Sequence, residues 1–381
     1  MTPLKARIAA KIQTDGALSL NDYMAMALSD PDDGYYMQRV PFGAPTDAGG
    51  DFTTAPEVSQ MFGELVGAWC IDLWDRMDRP STVNLIELGP GRGTLMADML
   101  RVAVQVPAFS AQLQVHFIET SPALREEQKK RVPKARWHET LDTLPPNVQH
   151  DDAVTLVIAN EFFDALPITQ HEYTGNGWRE IAVDIENDEL VYARTPPHAP
   201  AFSDVQTALL PTTMKSGDII EASAGREKVM QQLSALLMRT RGAALIIDYG
   251  YSQPQTGDSF QAMRHHEFVH PLAEPGAADL TAHVNFAVLA RIAANAGLHA
   301  HPTAQQGSFL RALGLDQRAT QLANVTPEAG NKIMSERDRL AAPDQMGHLF
   351  KVLGVRHPDL PALAGFVANA PPEETPAEET L

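Results

Sequence analysis

The stretch Ile86-Glu87-Leu88-Gly89-Pro90-Gly91-Arg92-Gly93-Thr94 decides the fold. It begins inside the apolar run Val83–Leu88 and leads into an amphipathic segment over 94–106, so it reads as strand, glycine turn and helix. Glycines belong where a ligand approaches the backbone so closely that a Cβ would clash. A dinucleotide loop spaces them G-x-G-x-x-G, whereas Gly89, Gly91 and Gly93 stand two apart. The Gly-Lys-Ser/Thr end of a phosphate loop is absent. Glu87 would be a poor neighbour for a pyrophosphate, but it suits a cationic ligand such as the amino group or sulfonium of S-adenosylmethionine.

The pattern repeats outward from this loop. Leu113–Ile118 is a second apolar strand, 135–138 a third, 153–159 a fourth and 243–247 a fifth, with a last strand at 349–355. Helices are expected from Pro56 onward, over 227–239, and over 286–296 behind an Asn285 cap. In a doubly wound sheet the carboxyl ends of such strands share one crevice. Glu119, at the end of the second strand, is placed there to accept hydrogen bonds from both ribose hydroxyls. It can equally cap the next helix beside Ser121-Pro122, and the glycines can simply make a tight turn. Alternation over 168–194 predicts antiparallel strands, and 252–282 is Pro/Gly-punctuated and has no clear period.

On these and further stretches the chain resembles the MidA-like family of class I S-adenosylmethionine-dependent methyltransferases, which includes a mitochondrial complex I assembly-factor arginine methyltransferase. The resemblance rests on Asp33-Gly34-Tyr35-Tyr36, on 50–60 with Phe62-Gly63-Glu64, on Glu87–Gly93 and on Asn160-Glu161-Phe162-Phe163-Asp164-Ala165-Leu166-Pro167. Ile247-Asp248-Tyr249-Gly250, 279–286 and Gly347 with Leu349-Phe350-Lys351-Val352 extend it along nearly the whole chain. Asn285 stands where many relatives are expected to carry Asp. The family implies a Rossmann-like α/β fold, a mostly parallel doubly wound sheet with a helical N-terminal region and α/β insertions.

That frame divides the chain into a helical region over 1–80 covering the cofactor site and a first core section over 81–167. An antiparallel insertion (168–222), a core continuation (223–250), a lid-like insertion (251–284) and a core helix and strand (285–303) follow. A helical insertion (304–345), the last core strand (346–358) and an acidic, disordered tail (371–381) complete it.

The resemblance implies S-adenosyl-L-methionine as cofactor and arginine as acceptor, borne by a protein such as a respiratory complex I subunit or its bacterial counterpart. Expected cofactor contacts are Glu87, Gly89, Gly91, Gly93, Glu119, Thr53, Pro56, Gln60, His138 and Asn160. The segment 50–60 is expected to fold over the cofactor, although Asp51, Thr53, Glu57 and Gln60 could also serve as simple helix capping. Expected catalytic residues are Glu161, Asn160, Asp164 and His283. A guanidinium stays protonated in water, and a carboxylate pair would hold it bidentately. Glu161 and Asp164 could instead cap a helix, and a lone histidine is more often structural. Small-molecule methylation, or a cofactor-binding assembly chaperone with little activity, are the competing readings.

Composition narrows the partners. Thirty Lys and Arg against 48 Asp and Glu give a net charge of −18, which argues against nucleic acid. One cysteine, Cys70, excludes an internal disulfide and a multi-cysteine zinc site. No apolar run is long enough to span a bilayer. The N-terminus lacks an h-region and cleavage site, from which a cytoplasmic location is expected. His266-Glu267-Phe268-Val269-His270 matches the zinc-protease pattern H-E-x-x-H, but Pro271 leaves no helix to bring both imidazoles to one face, so no metal is expected. The oligomeric state, a homodimer included, is left open.

Overall fold

The computed structural model describes residues 2–38, 53–149 and 153–366. The acidic tail and most of the loop before residue 53, Asp51 among it, lie outside the described residues. The central sheet runs in the order His299–Ala300, Phe350–Arg356, Ala243–Tyr251, Val154–Asn160, Val83–Leu88, Leu113–Ile118, Arg136–His138. Its inner strands, from Arg136–His138 to Ala243–Tyr251, are all parallel, and Phe350–Arg356 joins antiparallel. The earliest core strand, Val83–Leu88, is therefore central. The chain first builds away from it on one side, then returns to lay Val154–Asn160 on the other, so the order reverses between these two strands.

Both faces of the sheet are covered, which is why its inner strands are mostly apolar. Leu85, Leu156 and Leu245 face the helices Gln60–Arg76 and Thr94–Ala103 and the later helices Leu315–Val325 and Gly330–Ala341. Ile86, Leu88, Val157 and Ile246 face the opposite way, onto Ala224–Arg239 and Phe286–Asn295. A third core holds the N-terminal helices Pro3–Asp15 and Leu20–Ser29 against two smaller sheets. Ser19 caps the second of these helices by accepting from the Asp22 N–H at 3.0 Å, and Asn285 caps its own helix through Val288 N–H.

Two local expectations change. The helix expected from Pro56 is broken: Ala55–Val58 is one turn, Ser59 is extended, and Gln60–Arg76 starts anew with Ser59 as its cap. A serine with φ −159 cannot continue a helix. The segment 252–282 is not irregular but carries a three-stranded sheet, with Gln261–Arg264 between Glu267–Val269 and Asp279–Thr281. His266 sits in the turn of its hairpin and His270 lies beyond the strand. Four residues of extended chain span roughly 13 Å, so the H-E-x-x-H match has no zinc-binding helix behind it. Among the described residues no group of three or more metal-ligating side chains gathers, and no helix is long and apolar enough to cross a membrane.

Candidate active site

Register brings the site together. Leu88 pairs with Ile118 on one side and Ala159 on the other, so Gly89, Glu119 and Asn160 leave the sheet at one level. Asn160 pairs with Ile247, which puts Asp248 beside Glu161. Above this edge lies a cavity of about 750 Å³. Of the sequence-expected residues, Thr53, Gly89, Gly91, Glu119, Glu161, Asp164 and His283 line it.

One end is built on the glycine loop. Gly89, Gly91 and Gly93 all have positive φ, +59, +53 and +81, which a side chain would strain. A Cβ on Gly89 would also meet the Phe162 ring at 2.8 Å. Glu119 beside the loop is buried. Its Oε1 accepts from Ser121 N–H at 2.8 Å and its Oε2 from the Gln128 amide at 3.1 Å. The same amide donates to the Gly91 carbonyl at 2.7 Å, and Trp137 donates its indole N–H to Gln128 Oε1. Gln128 thus ties loop, carboxylate and third strand together. Burial raises the Glu119 pKa, and the Ser121 and Gln128 donors oppose that rise.

The other end is acidic. Glu161 adopts φ +48, an uncommon conformation for a non-glycine residue and one that concentrates at functional sites. Its Oε1 accepts from the Ala55 N–H at 3.0 Å and the Asn160 amide at 3.1 Å. Burial pushes its pKa up to about 8, and Asp164 and Asp279 reinforce this. Asp164 accepts from the Tyr249 hydroxyl at 2.7 Å, while its Oδ1 is buried with no partner. Burial raises its pKa too. Asp279 also lines the cavity and accepts from the Tyr36 hydroxyl at 2.7 Å. His283 packs edge-on against Tyr249, and burial lowers its pKa.

Two buried residues hold this end in shape. Asp248 Oδ2 accepts from the N–H groups of Phe162, Phe163 and Asp164 at 3.0–3.2 Å, which fixes the turn after the fourth strand. Arg226 donates to the carbonyls of Phe163, Asp164, Ala282 and His283, stitching that turn to the His283 segment.

Several expected contacts fall elsewhere. Glu87 lies 3% exposed beneath the start of the Thr94–Ala103 helix, bonded to the Met96 N–H, with Oε2 unpartnered and its pKa pushed up to about 8 by burial. It is not on the cavity wall, because strand alternation points it the same way as Leu85. His138 turns back to His116, with ring nitrogens 3.0 Å apart, and Glu139 and Thr140 reach the cavity instead. Asn160 reaches it only through Glu161, Pro56 is buried in the short helical turn, Gly93 caps the next helix, and Gln60 is exposed beyond the Ser59 break. Gln128, Arg226, Asp279 and Tyr36 escaped site assignment from sequence. The last two did stand in family-like stretches, which is the one signal that could have found them.

Comparison with known proteins agrees with this geometry. The family model for S-adenosyl-L-methionine-dependent methyltransferases matches residues 65–303. The chain belongs to that methyltransferase family. It is 34% identical to the Drosophila melanogaster protein arginine methyltransferase NDUFAF7 homolog, mitochondrial, over 92% of this chain and 84% of that one. It is 32% identical to the Homo sapiens protein arginine methyltransferase NDUFAF7, mitochondrial, over 92% and 82%. A Burkholderia thailandensis protein solved bound to S-adenosyl-homocysteine shares the fold, with TM-score 0.81 and 24% identity over 95% of this chain and 94% of that one. The methyltransferase therefore uses S-adenosyl-L-methionine. Its open glycine loop and the Glu119 carboxylate on the cavity wall fit that cofactor. The mitochondrial names of the relatives overturn the cytoplasmic expectation. That expectation rested on a missing h-region, which is a mark of secretory signals only; organellar import signals are amphipathic and need none.

Proposed function

We propose that the chain methylates an arginine side chain of a protein, and that the acidic end of the cavity receives the guanidinium. The observation that carries this reading is the convergence of three carboxylates, Glu161, Asp164 and Asp279, on one end of the cavity, with one buried Asp164 oxygen left unpartnered. Buried carboxylates without partners are costly, and a delocalised cation with five donors relieves that cost. The names of the relatives, protein arginine methyltransferases, support the same acceptor. The family resemblance further suggests a subunit of respiratory complex I, or its bacterial counterpart, as the protein that bears it.

S-adenosylmethionine supplies an electrophilic methyl group on sulfur. The residues of this chain must align one guanidinium nitrogen with it, keep water out and take up the proton that the nitrogen loses as the N–C bond forms and the S–C bond breaks. Glu161 Oε1 is occupied by Ala55 and Asn160, which leaves Oε2 for the substrate nitrogen. With a pKa near 8 in the free protein, the carboxyl gives up its own proton to solvent as the guanidinium binds, and then holds the one the nitrogen loses. Asp164, oriented by Tyr249, and Asp279, oriented by Tyr36, grip the remaining N–H groups. Positioning can supply roughly 7–11 kcal/mol, and a general base a factor of about 10²–10⁴, so orientation is the larger share.

The test is transfer of labelled methyl into cell protein and, separately, into a small-molecule extract, followed by hydrolysis. Methylarginine in the protein fraction is expected. Label confined to small molecules, or found in another amino acid, would sink the reading.

A further inference from the structure

The wall of the cavity that carries Asp279 is one face of the small three-stranded sheet. Asp279 pairs with Met263, and Met263 pairs with Phe268, so a single cross-strand row runs from the acceptor carboxylate to the outer strand. All three members of that row line the cavity. The outer strand, Glu267–Val269, is exposed at every residue, and Phe268 keeps 70% of its surface open. A single exposed aromatic is ordinary by itself; Phe268 stands apart through its place, on the cavity rim and on the outer strand of that sheet.

The hairpin geometry says which backbone groups are free. Arg264 and Glu267 close a two-residue turn at His265 and His266, whose φ values of +52 and +63 match the mirror-image turn that hairpins prefer. The closing pair of such a turn exchanges both its hydrogen bonds, so the next pair, Met263 and Phe268, exchanges none. The Phe268 N–H and C=O therefore point outward, to an edge that no other described strand occupies.

We propose that the protein substrate binds by adding an extended segment to the Glu267–Val269 edge, beside Phe268, so that the chain carrying the arginine enters the cavity over this rim. The proposal rests on the arginine reading and names how the substrate is gripped. Two strand spacings of about 4.8 Å separate Phe268 from Asp279, and the added strand lies one further out. The paired residues are thus those flanking the arginine, which reaches the carboxylates where the chain turns inward. A basic, extended segment also complements a chain of net charge −18. Main-chain pairing would supply affinity, and the Phe268 ring a preference for an apolar neighbour.

The experiment uses a peptide with a run of Thr and Val residues leading into one arginine, and two versions of it N-methylated at alternate amides. Because only alternate amides can face the edge, one version should lose about tenfold or more in kcat/KM and the other little. Phe268→Pro removes the outward N–H without touching the hairpin's own ladder, whereas Phe268→Ala removes only the ring. Phe268→Pro should raise the peptide KM several-fold above that of Phe268→Ala at a similar Tm. Equal loss from both N-methylated versions, no advantage of the peptide over N-acetylarginine amide, or equal KM for the two variants would overturn the proposal. So would a dimer of the chain that Phe268→Pro dissolves, since a second copy would then own the edge. No transfer to arginine in any of these compounds would instead bring down the arginine reading, and the strand proposal with it.

Discussion

The two ends of the cavity are built on opposite principles. On the cavity wall around the glycine loop the polar groups are satisfied within the chain: both Glu119 oxygens, the Gly91 carbonyl and the Gln128 amide close one hydrogen-bonded unit. At the acceptor end the carboxylates crowd together, Asp164 Oδ1 and Asn160 Oδ1 are buried without partners, and Glu161 is held at positive φ. A site for a cofactor used in every turnover can be finished in advance. A site for a cation that must give up a proton is left unfinished, so that the substrate supplies what is missing. The cost is carried by a scaffold, chiefly Arg226 and Asp248, that holds the unfavourable arrangement in place.

The largest effect is expected where that scaffold is cut. Arg226→Met leaves four carbonyls without their charged donor and should cost about 3–5 kcal/mol of stability, as for other broken buried charge networks. If the two ends are separate units, the folded fraction should still bind S-adenosyl-homocysteine within a few fold of wild type while losing turnover, measured by calorimetry and methyl transfer at low temperature. Affinity falling in step with kcat would break the comparison. Next comes Glu161→Gln, which keeps shape and loses charge. Transfer should drop by at least about 10²-fold with cofactor affinity and Tm little changed. Near wild-type turnover would move the proton acceptor to Asp164 or Asp279, and equal loss of affinity would make Glu161 a cofactor ligand.

The same contrast governs what the residues alone reveal. The loop end was legible because Gly89, Gly91 and Gly93 encode backbone conformation locally, and because Glu119 follows directly from where a buried strand stops. The departures from the cavity wall there are of one step. Alternation sends Glu87 under a helix, His138 turns to His116 one residue short of the cavity, and the Ser59 break carries Gln60 outward. At the acceptor end Glu161 and Asp164 were visible as polar residues past a strand end. Arg226 was not, since its partners stand 56 to 63 residues away and no spacing announces a carbonyl clamp. The 252–282 segment hid its sheet for a related reason: its strands are three or four residues long, too short for alternation to be counted.

A smaller effect sharpens the comparison from the cofactor side. Glu119→Ala removes the carboxylate offered to the ribose, strands the Ser121 N–H and leaves the Gln128 amide only the Gly91 carbonyl. Cofactor affinity should weaken by about 1–3 kcal/mol, the cost of leaving a buried group unpaired. In calorimetry the change should appear in Kd, while kcat at saturating cofactor changes little. A variant that binds as wild type does would return Glu119 to the role of a helix cap.

The smallest effect concerns pH, and its sign separates the two ends. In the free protein burial raises the Glu161 pKa to about 8, whereas in the unfolded chain an ordinary glutamate titrates near 4.3. Between those values the folded state binds more protons than the unfolded one, so this group makes stability fall as pH rises, and the fall ends above about pH 8. Glu87, also near 8, adds a slope of the same sign that Glu161→Gln leaves untouched. The variant should therefore lose less Tm than wild type between pH 5.5 and 8. The difference should be a few degrees at most for a chain of this length, since Glu161 borders a cavity where solvent screens it. A bound guanidinium stabilises the carboxylate, so an arginine peptide should flatten the wild-type slope and leave that of the variant alone. S-adenosyl-homocysteine, bound at the satisfied end, should raise Tm at every pH without changing the slope. Parallel slopes for wild type and Glu161→Gln, with or without the peptide, would show that Glu161 is already ionised in the free protein and that the acceptor end carries no proton in waiting.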